Sequence, residues 1–278
     1  MRGIVPEVVD AIWDCLAPGL MPVPTKEHWK AVADGFWEKW NFPHCVGAID
    51  GKHVAIQAPM HSGAKFHNYK GFFSVVLMAV VDANYIFRVV DVGGYGSGND
   101  SGILWASEFG QALAEERLDL PDAEPLPGAD HLGPVPYVFI GDEAFPLRRD
   151  MMRPVPGRYL KTYAERIFNY RLSRARNMVE CAFGIMVKQW RVYTSAIELS
   201  PDKAEKVVRA TTILHNLLRW HLQSEETEGP AEELPESLSD IGGLESNSAE
   251  DEGKAVRESF VEFFSSPAGA VSWQDNCV

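Results

Sequence analysis

Cysteine pairs are missing from this chain. Its four cysteines, Cys15, Cys45, Cys181 and Cys277, stand far apart and form no C-x-x-C spacing. That argues against a zinc cluster or a disulfide framework and for a reducing compartment. Long apolar runs are missing too. The longest, such as Val75–Val81, fall far short of the roughly 20 residues that cross a bilayer. The first six residues, Met1 to Pro6, contain no signal-peptide core. We therefore expect no membrane partner. The glycine run at 93–98 is not closed by Gly-Lys-Ser/Thr and carries no dinucleotide fingerprint, which excludes a phosphate loop of either kind.

Acid is plentiful but unevenly spread. The formal net charge is −13 over 278 residues. Residues 222–278 hold 14 acidic and 2 basic side chains, while the other 221 residues are nearly balanced. Within them, residues 148–209 carry 14 Lys/Arg against 6 Asp/Glu. A basic segment inside a neutral body keeps a nucleic-acid partner open despite the acidic average. The tail at 223–255 changes to Glu, Ser, Gly and Pro with little apolar content, so we expect disorder there, with a short helix over Glu258–Phe264 that could dock on a partner. The expected division is a helical segment at 1–45, a main domain at 46–222 and an acidic, mostly disordered tail at 223–278.

Hydrophobic spacing predicts the elements. Val5–Leu16 reads as a helix that Pro18-Gly19 should stop, and Thr25 as the N-cap of a second helix burying Trp29, Val32, Phe36, Trp37 and Trp40. Val46–Ile56 reads as a strand. Phe72–Val81 and Tyr85–Val92, joined by Asp82-Ala83-Asn84, read as an antiparallel hairpin. Ser101–Glu116 reads as a helix with Asp100 at its N-cap. The proline-rich stretch 118–136 should be an irregular surface connection. Tyr137–Asp142 repeats the first strand's ending of apolar run, Gly, Asp. A crossover should place it parallel to and beside that strand. Tyr163–Tyr193 and Ser200–Leu222 read as long helices, the second holding His215 as a satisfied core histidine.

The chemistry then concentrates on acids. A carboxylate in an apolar strand must reach solvent or meet a cation, and Gly47 and Gly51 leave room beside Asp50 for close approach. Asp50 and Asp142 would stand side by side, where like charges repel unless a divalent cation or a proton intervenes. Glu180, at the edge of the packed face of its helix, is the candidate third ligand. Arg166, Arg171, Arg174 and Arg176 surround it and read either as a solvated basic face or as phosphate contacts. Lys52 and His53 follow Asp50 closely enough to touch phosphate or orient water, and His53 reads equally as a plain surface residue.

Three segments together, GAIDGKHV…NYKGFFSVVLMAVVDANY (47–85), YVFIGDEAFPL (137–147) and RIFNYRLSRARNMVECAFGI (166–185), resemble the PIF/Harbinger family of DDE transposases, closest to its domesticated, transposase-derived nuclease branch. LHNLLR at 214–219 fits the family's closing helix. The resemblance implies an α/β, RNase H-like mixed sheet, three antiparallel strands then parallel ones, with helices on both faces. It implies Asp50, Asp142 and Glu180 as a catalytic, metal-holding triad for Mg²⁺ or Mn²⁺, and a metal-dependent DNA nuclease acting by hydrolysis or strand transfer. The competing expectation is a catalytically silent descendant acting as a DNA or chromatin adaptor; a different metal-dependent phosphoesterase is a weaker third. Full-length members usually carry a helix-turn-helix upstream, where only some 45 residues precede the core here. In the family a Myb-like accessory protein supplies DNA binding, so the resemblance also implies such a partner. It allows an oligomer, and it implies placement in the nucleus, with the cytoplasm as a second compartment.

Overall fold

The computed structural model describes residues 4–225 and 248–277. Two helices come first. α1 (Ile4–Leu20) runs through Pro18, which was expected to end it. A proline removes one donor, and in the last turn that loss is small: Met21 N still donates to Ala17 O at 2.9 Å. α2 (Lys26–Trp40) begins at a capping box, in which the Thr25 hydroxyl accepts from His28 N and the His28 ring accepts from Thr25 N. It buries Trp29, Val32, Ala33 and Phe36, whereas Trp37 and Trp40 are only partly covered.

The remaining chain builds a five-stranded sheet. Its strands are β1 (Cys45–Ala55), β2 (Ser74–Val81) and β3 (Phe87–Tyr95), then β6 (Val138–Ile140) and β7 (Met151–Met152). Between the two groups lie α3 (Asp100–Ala106), α4 (Glu108–Ala114) and a small ribbon of β4 (Glu124–Pro125) and β5 (Pro134–Val135). The sheet order is β3-β2-β1-β6-β7. β1, β2 and β3 pair antiparallel; β6 joins β1 in parallel and β7 joins β6 in parallel. This is the expected α/β architecture. The hairpin turn is set by Asp82, whose Oδ1 accepts from Asn84 N at 2.7 Å and Ile86 N at 3.0 Å.

The helix expected over Ser101–Glu116 is in fact two. Ser107 ends α3 and caps α4, its Oγ accepting from Gly110 N at 2.9 Å. A Cβ at Gly110 would lie 1.9 Å from Leu104 O, so this fold-back is open only to glycine.

Helices cover both faces. Along β2, Val75, Leu77, Ala79 and Val81 face α5 (Tyr163–Gln189) and α6 (Pro201–Glu225), while Met78 and Val80 face Leu104 and Phe109 of α3 and α4. α6 is locked to β3 through Asn216, which accepts from Phe87 N at 2.9 Å and donates to Phe87 O at 2.8 Å. His215 Nε2 meets Tyr85 O at 2.8 Å, and burial holds its pKa down at about 4, as suits a neutral core imidazole. All four cysteines are free; Cys45 is buried and Cys181 half-buried. No helix among the described residues is long and apolar enough to cross a membrane.

The carboxy-terminal segment departs from the expected disordered tail. Residues 226–247, most of the stretch expected to be disordered, lie outside the described residues. The rest forms α7 (Ser248–Ser265), which packs on α5 and buries Phe260, Phe263 and Phe264 completely. Phe264 stacks edge-on against Phe42 at 5.1 Å and faces Phe168 at 6.4 Å. Three phenylalanines on one helical stripe outweigh the acidic residues on the other side. The helix expected at Glu258–Phe264 is thus real but longer, and it docks on its own chain. Phe264→Ala should lower the unfolding free energy by about 3–5 kcal/mol in equilibrium urea denaturation; a disordered tail would give no change.

Candidate metal centre

The β1–β6 register brings two acids level. Ala48 of β1 pairs with Ile140 of β6, so Asp50 and Asp142 each stand two residues beyond a paired position. The third carboxylate comes from the opposite direction, at the start of α3: Asp100. One oxygen from each of Asp50, Asp100 and Asp142 lies within 4.8 Å of the others. Backbone donors steady two of them, with Gly51 N to Asp50 Oδ1 and Ala144 N to Asp142 Oδ1, both at 2.8 Å. Asp100 fits because residue 51 has no side chain. A Cβ there would sit 2.3 Å from Asp100 Oδ1.

Burial and mutual repulsion oppose ionisation here. The Asp50 pKa is pushed up to about 7, by burial first; Asp142 and Asp100 raise it further, and the Arg176 guanidinium pulls it down. Burial and Asp142 push Asp100 up to about 6, against the pull of Lys70. Lys52, on the same strand face as Asp50, reaches over the Phe183 ring at 5.8 Å; burial lowers its pKa and Asp50 raises it. An all-oxygen donor set with no His or Cys fits a hard divalent cation such as Mg²⁺ or Mn²⁺ and suits zinc poorly.

The model of the DDE superfamily endonuclease family matches residues 49–216. The chain belongs to that family. Its relatives include "Putative nuclease HARBI1" of Bos taurus, 26% identical over 74% of this chain and 56% of that protein. The Homo sapiens protein of the same name is 25% identical over the same shares. "Protein ALP1-like" of Arabidopsis thaliana is 29% identical over 63% of this chain and 43% of its own length. These place the chain with the PIF/Harbinger-type, transposase-derived branch, and its mixed sheet is the RNase H-like fold of that group. The chain spans about half the length of the curated relatives it matches. No solved structure matches it significantly.

The expected site residues separate into groups. Asp50 and Asp142 come together. Glu180 is not among the clustered acids; it pairs with Arg176 on its own helix at 2.5 Å, and Arg176 is the cation acting on Asp50. Glu180 therefore borders the centre through an arginine rather than joining it. Arg171, expected on the DNA, is completely buried. Its guanidinium donates to Gly269 O at 3.1 Å, Gln274 Oε1 at 2.9 Å and Asn41 O, tying α5 to both ends of the chain. Arg174 donates to Asn41 Oδ1 at 3.0 Å and lies over the Trp273 ring. These two serve packing. Arg166 is exposed.

Asp100 does not stand out as a ligand in the sequence, because its position before Ser101 suits a helix cap. Asn99 fills that role, its Oδ1 accepting from Gly102 N at 2.7 Å. Two good cap residues in succession, where one cap exists, was the available signal.

The raised carboxylates bind more protons in the folded chain than in the unfolded one. Their contribution to stability is therefore fully present below the unfolded carboxylate pKa of about 4 and is lost as pH rises through about 6–7. A divalent cation takes the deprotonated form. Mg²⁺ or Mn²⁺ should raise the calorimetric melting temperature far more at about pH 8 than at about pH 5.5, and Asp50→Asn should shrink the difference.

Proposed function

We propose that the chain is a divalent-metal-dependent nuclease acting on phosphodiester bonds of DNA. The observation that carries the proposal is the convergence of Asp50, Asp100 and Asp142, with one oxygen of each within 4.8 Å of the others. These three would hold Mg²⁺ or Mn²⁺. A cation bound there supplies Lewis-acid polarisation of a phosphoryl oxygen and a water of lowered pKa. The chain's own groups do the rest. Arg176 favours the ionised form of Asp50, and Glu180 orients Arg176 through their ion pair. Lys52 and Lys70, whose fields reach Asp50 and Asp100 respectively and each other, would bind the DNA backbone beside the cluster. Hydrolysis and strand transfer need the same arrangement and differ in the attacking hydroxyl. Action in the nucleus and help from a Myb-like DNA-binding partner or a second copy belong to the same proposal.

A purified chain should nick supercoiled DNA with Mg²⁺ or Mn²⁺. Asp50→Asn, Asp142→Asn and Asp100→Asn should each lose more than the roughly 10–100-fold that removal of an outer-shell partner costs, and Glu180→Gln should fall within that range. Cutting at the wild-type rate by Asp50→Asn and Asp142→Asn sinks the proposal. The arginine reassignment gives a separate contrast. Lys52→Gln should flatten the log–log salt dependence of DNA binding by about 0.9, the contribution of one phosphate contact. Arg171→Gln should leave that slope alone and lower the urea midpoint, since it strands buried carbonyls at both chain ends.

A further inference from the structure

Beside the acid cluster the loop between β1 and β2 displays an aromatic ring that the fold does not use. Tyr69 is 75% exposed, more than any other aromatic side chain among the described residues. Its backbone is nonetheless held firmly. Asn68, 2% exposed, accepts from Lys70 N at 3.0 Å and Phe72 N at 3.3 Å, and donates to Ser74 Oγ at 3.0 Å. Ser74 Oγ in turn meets His53 Nδ1 at 2.9 Å. Gly71 supplies the φ of +86° that closes the turn. The Tyr69 ring stands edge-on to His53 at 5.7 Å, and His53 lies three residues beyond Asp50 on β1.

A lysine accompanies the ring. Lys70 Nζ is 5.4 Å from the Tyr69 centroid, and its charge is felt at Asp100, Lys52 and His53. Lys70 thus links the exposed ring to the acid cluster. The same loop repeats the pairing: Lys65 Nζ sits 3.9 Å from the centroid of Tyr95, itself 45% exposed, and Ser97 Oγ holds Lys65 O at 2.8 Å. Tyr95 precedes Asp100 by five residues on the segment that delivers it.

Aromatic rings alternating with lysines match the chemistry of an unpaired strand. Cations alone suffice for the phosphate ridge of a duplex, whose bases are stacked inward. An exposed ring gains from stacking only when a base is splayed outward, and every base offers a face for it. We infer that Tyr69 and Lys70, together with the Tyr95–Lys65 pair, form a subsite for unpaired nucleotides of the DNA strand entering the acid cluster. This inference rests on the nuclease reading for its choice of DNA. It adds that the substrate is locally single-stranded next to the scissile bond.

Fluorescence anisotropy in Ca²⁺ would test it on the full chain with three labelled DNAs: a duplex, the duplex with an unpaired tail, and the duplex with an abasic tail of equal length and charge. The wild-type chain should bind the base-bearing tail roughly 5- to 100-fold more tightly than the abasic one. Tyr69→Ala should erase that preference, and Tyr69→Phe should keep it, since the ring and not the hydroxyl stacks. Tyr69 is exposed enough that truncation leaves the core untouched. Equal binding of the two tails by the wild-type chain, or a preference retained in Tyr69→Ala, would overturn the subsite. A parallel cleavage assay keeps the two readings apart. Cutting without base preference removes the subsite alone, while base preference without metal-dependent cutting supports the subsite and removes the nuclease reading.

Discussion

Like-charge crowding at one edge of the sheet is the constraint around which the molecule is arranged. Asp50 and Asp142 are brought level by the parallel pairing of β1 with β6, and Asp100 is pressed in over the bare backbone of Gly51. At the 4.8 Å outer limit of their separation, two ionised carboxylates repel by about 3 kcal/mol at an effective dielectric near 20. Three such pairs exceed what a few backbone hydrogen bonds return. Burial and this repulsion push Asp50 up to about 7 and Asp100 up to about 6. The scaffold beneath must be stiff enough to hold the groups against their repulsion. It is, because β1 and β2 are packed on both faces and α5 is clamped by α7.

α5 shows how one helix divides its labour. At about 100° per residue, Arg171 and Arg176 point roughly 140° apart, so a basic helix is not a basic face. Arg176 turns with Glu180 toward the acids; Arg171 turns toward Asn41, Gly269 and Gln274. The acidic carboxy-terminal helix and the basic central helix meet through aromatic packing, with the Arg171 guanidinium 4.4 Å from the Phe264 ring. Charge counted along the chain could not separate these roles. Angular position on the helix could.

Much of the fold was legible because the signals were periodic or chemically specific. β1, the hairpin with its Asp82 turn and the Thr25 cap all appear near the expected residues, and the repeated strand-Gly-Asp ending placed Asp50 beside Asp142. What stayed hidden had a common cause, in that a local rule was satisfied by a neighbour. Asn99 took the cap that Asp100 could also have filled, which freed Asp100 for the cluster. Ser107 broke a helical pattern that continued in composition but not in backbone. The fourteen acids of residues 223–278 masked how far the helix around Phe260, Phe263 and Phe264 extends and that it docks on its own chain. Glu180 was read correctly as lying at the packed edge of α5. For Arg176, which the sequence leaves open between a solvated basic face and a phosphate contact, the structure shows the i,i+4 pairing with the glutamate.

The same electrostatics bears on whether the site is a working centre or the relic of one kept for DNA binding. A chain that needed only the fold and its cations would gain from losing any one of the three charges. The replacement is simple, since asparagine keeps the side-chain oxygen that accepts from Gly51 N at position 50 and from Ala144 N at position 142. Asp→Asn would preserve the hydrogen bonds, the volume and the backbone while removing the repulsion. All three positions nonetheless carry acid, and the tight approach of Asp100 to Gly51 excludes any side chain at 51 that would push the carboxylates apart. Charge itself, beyond shape or hydrogen bonding, is the property these positions hold in common. Charge at this density fits the divalent cation that the proposed nuclease reading calls for.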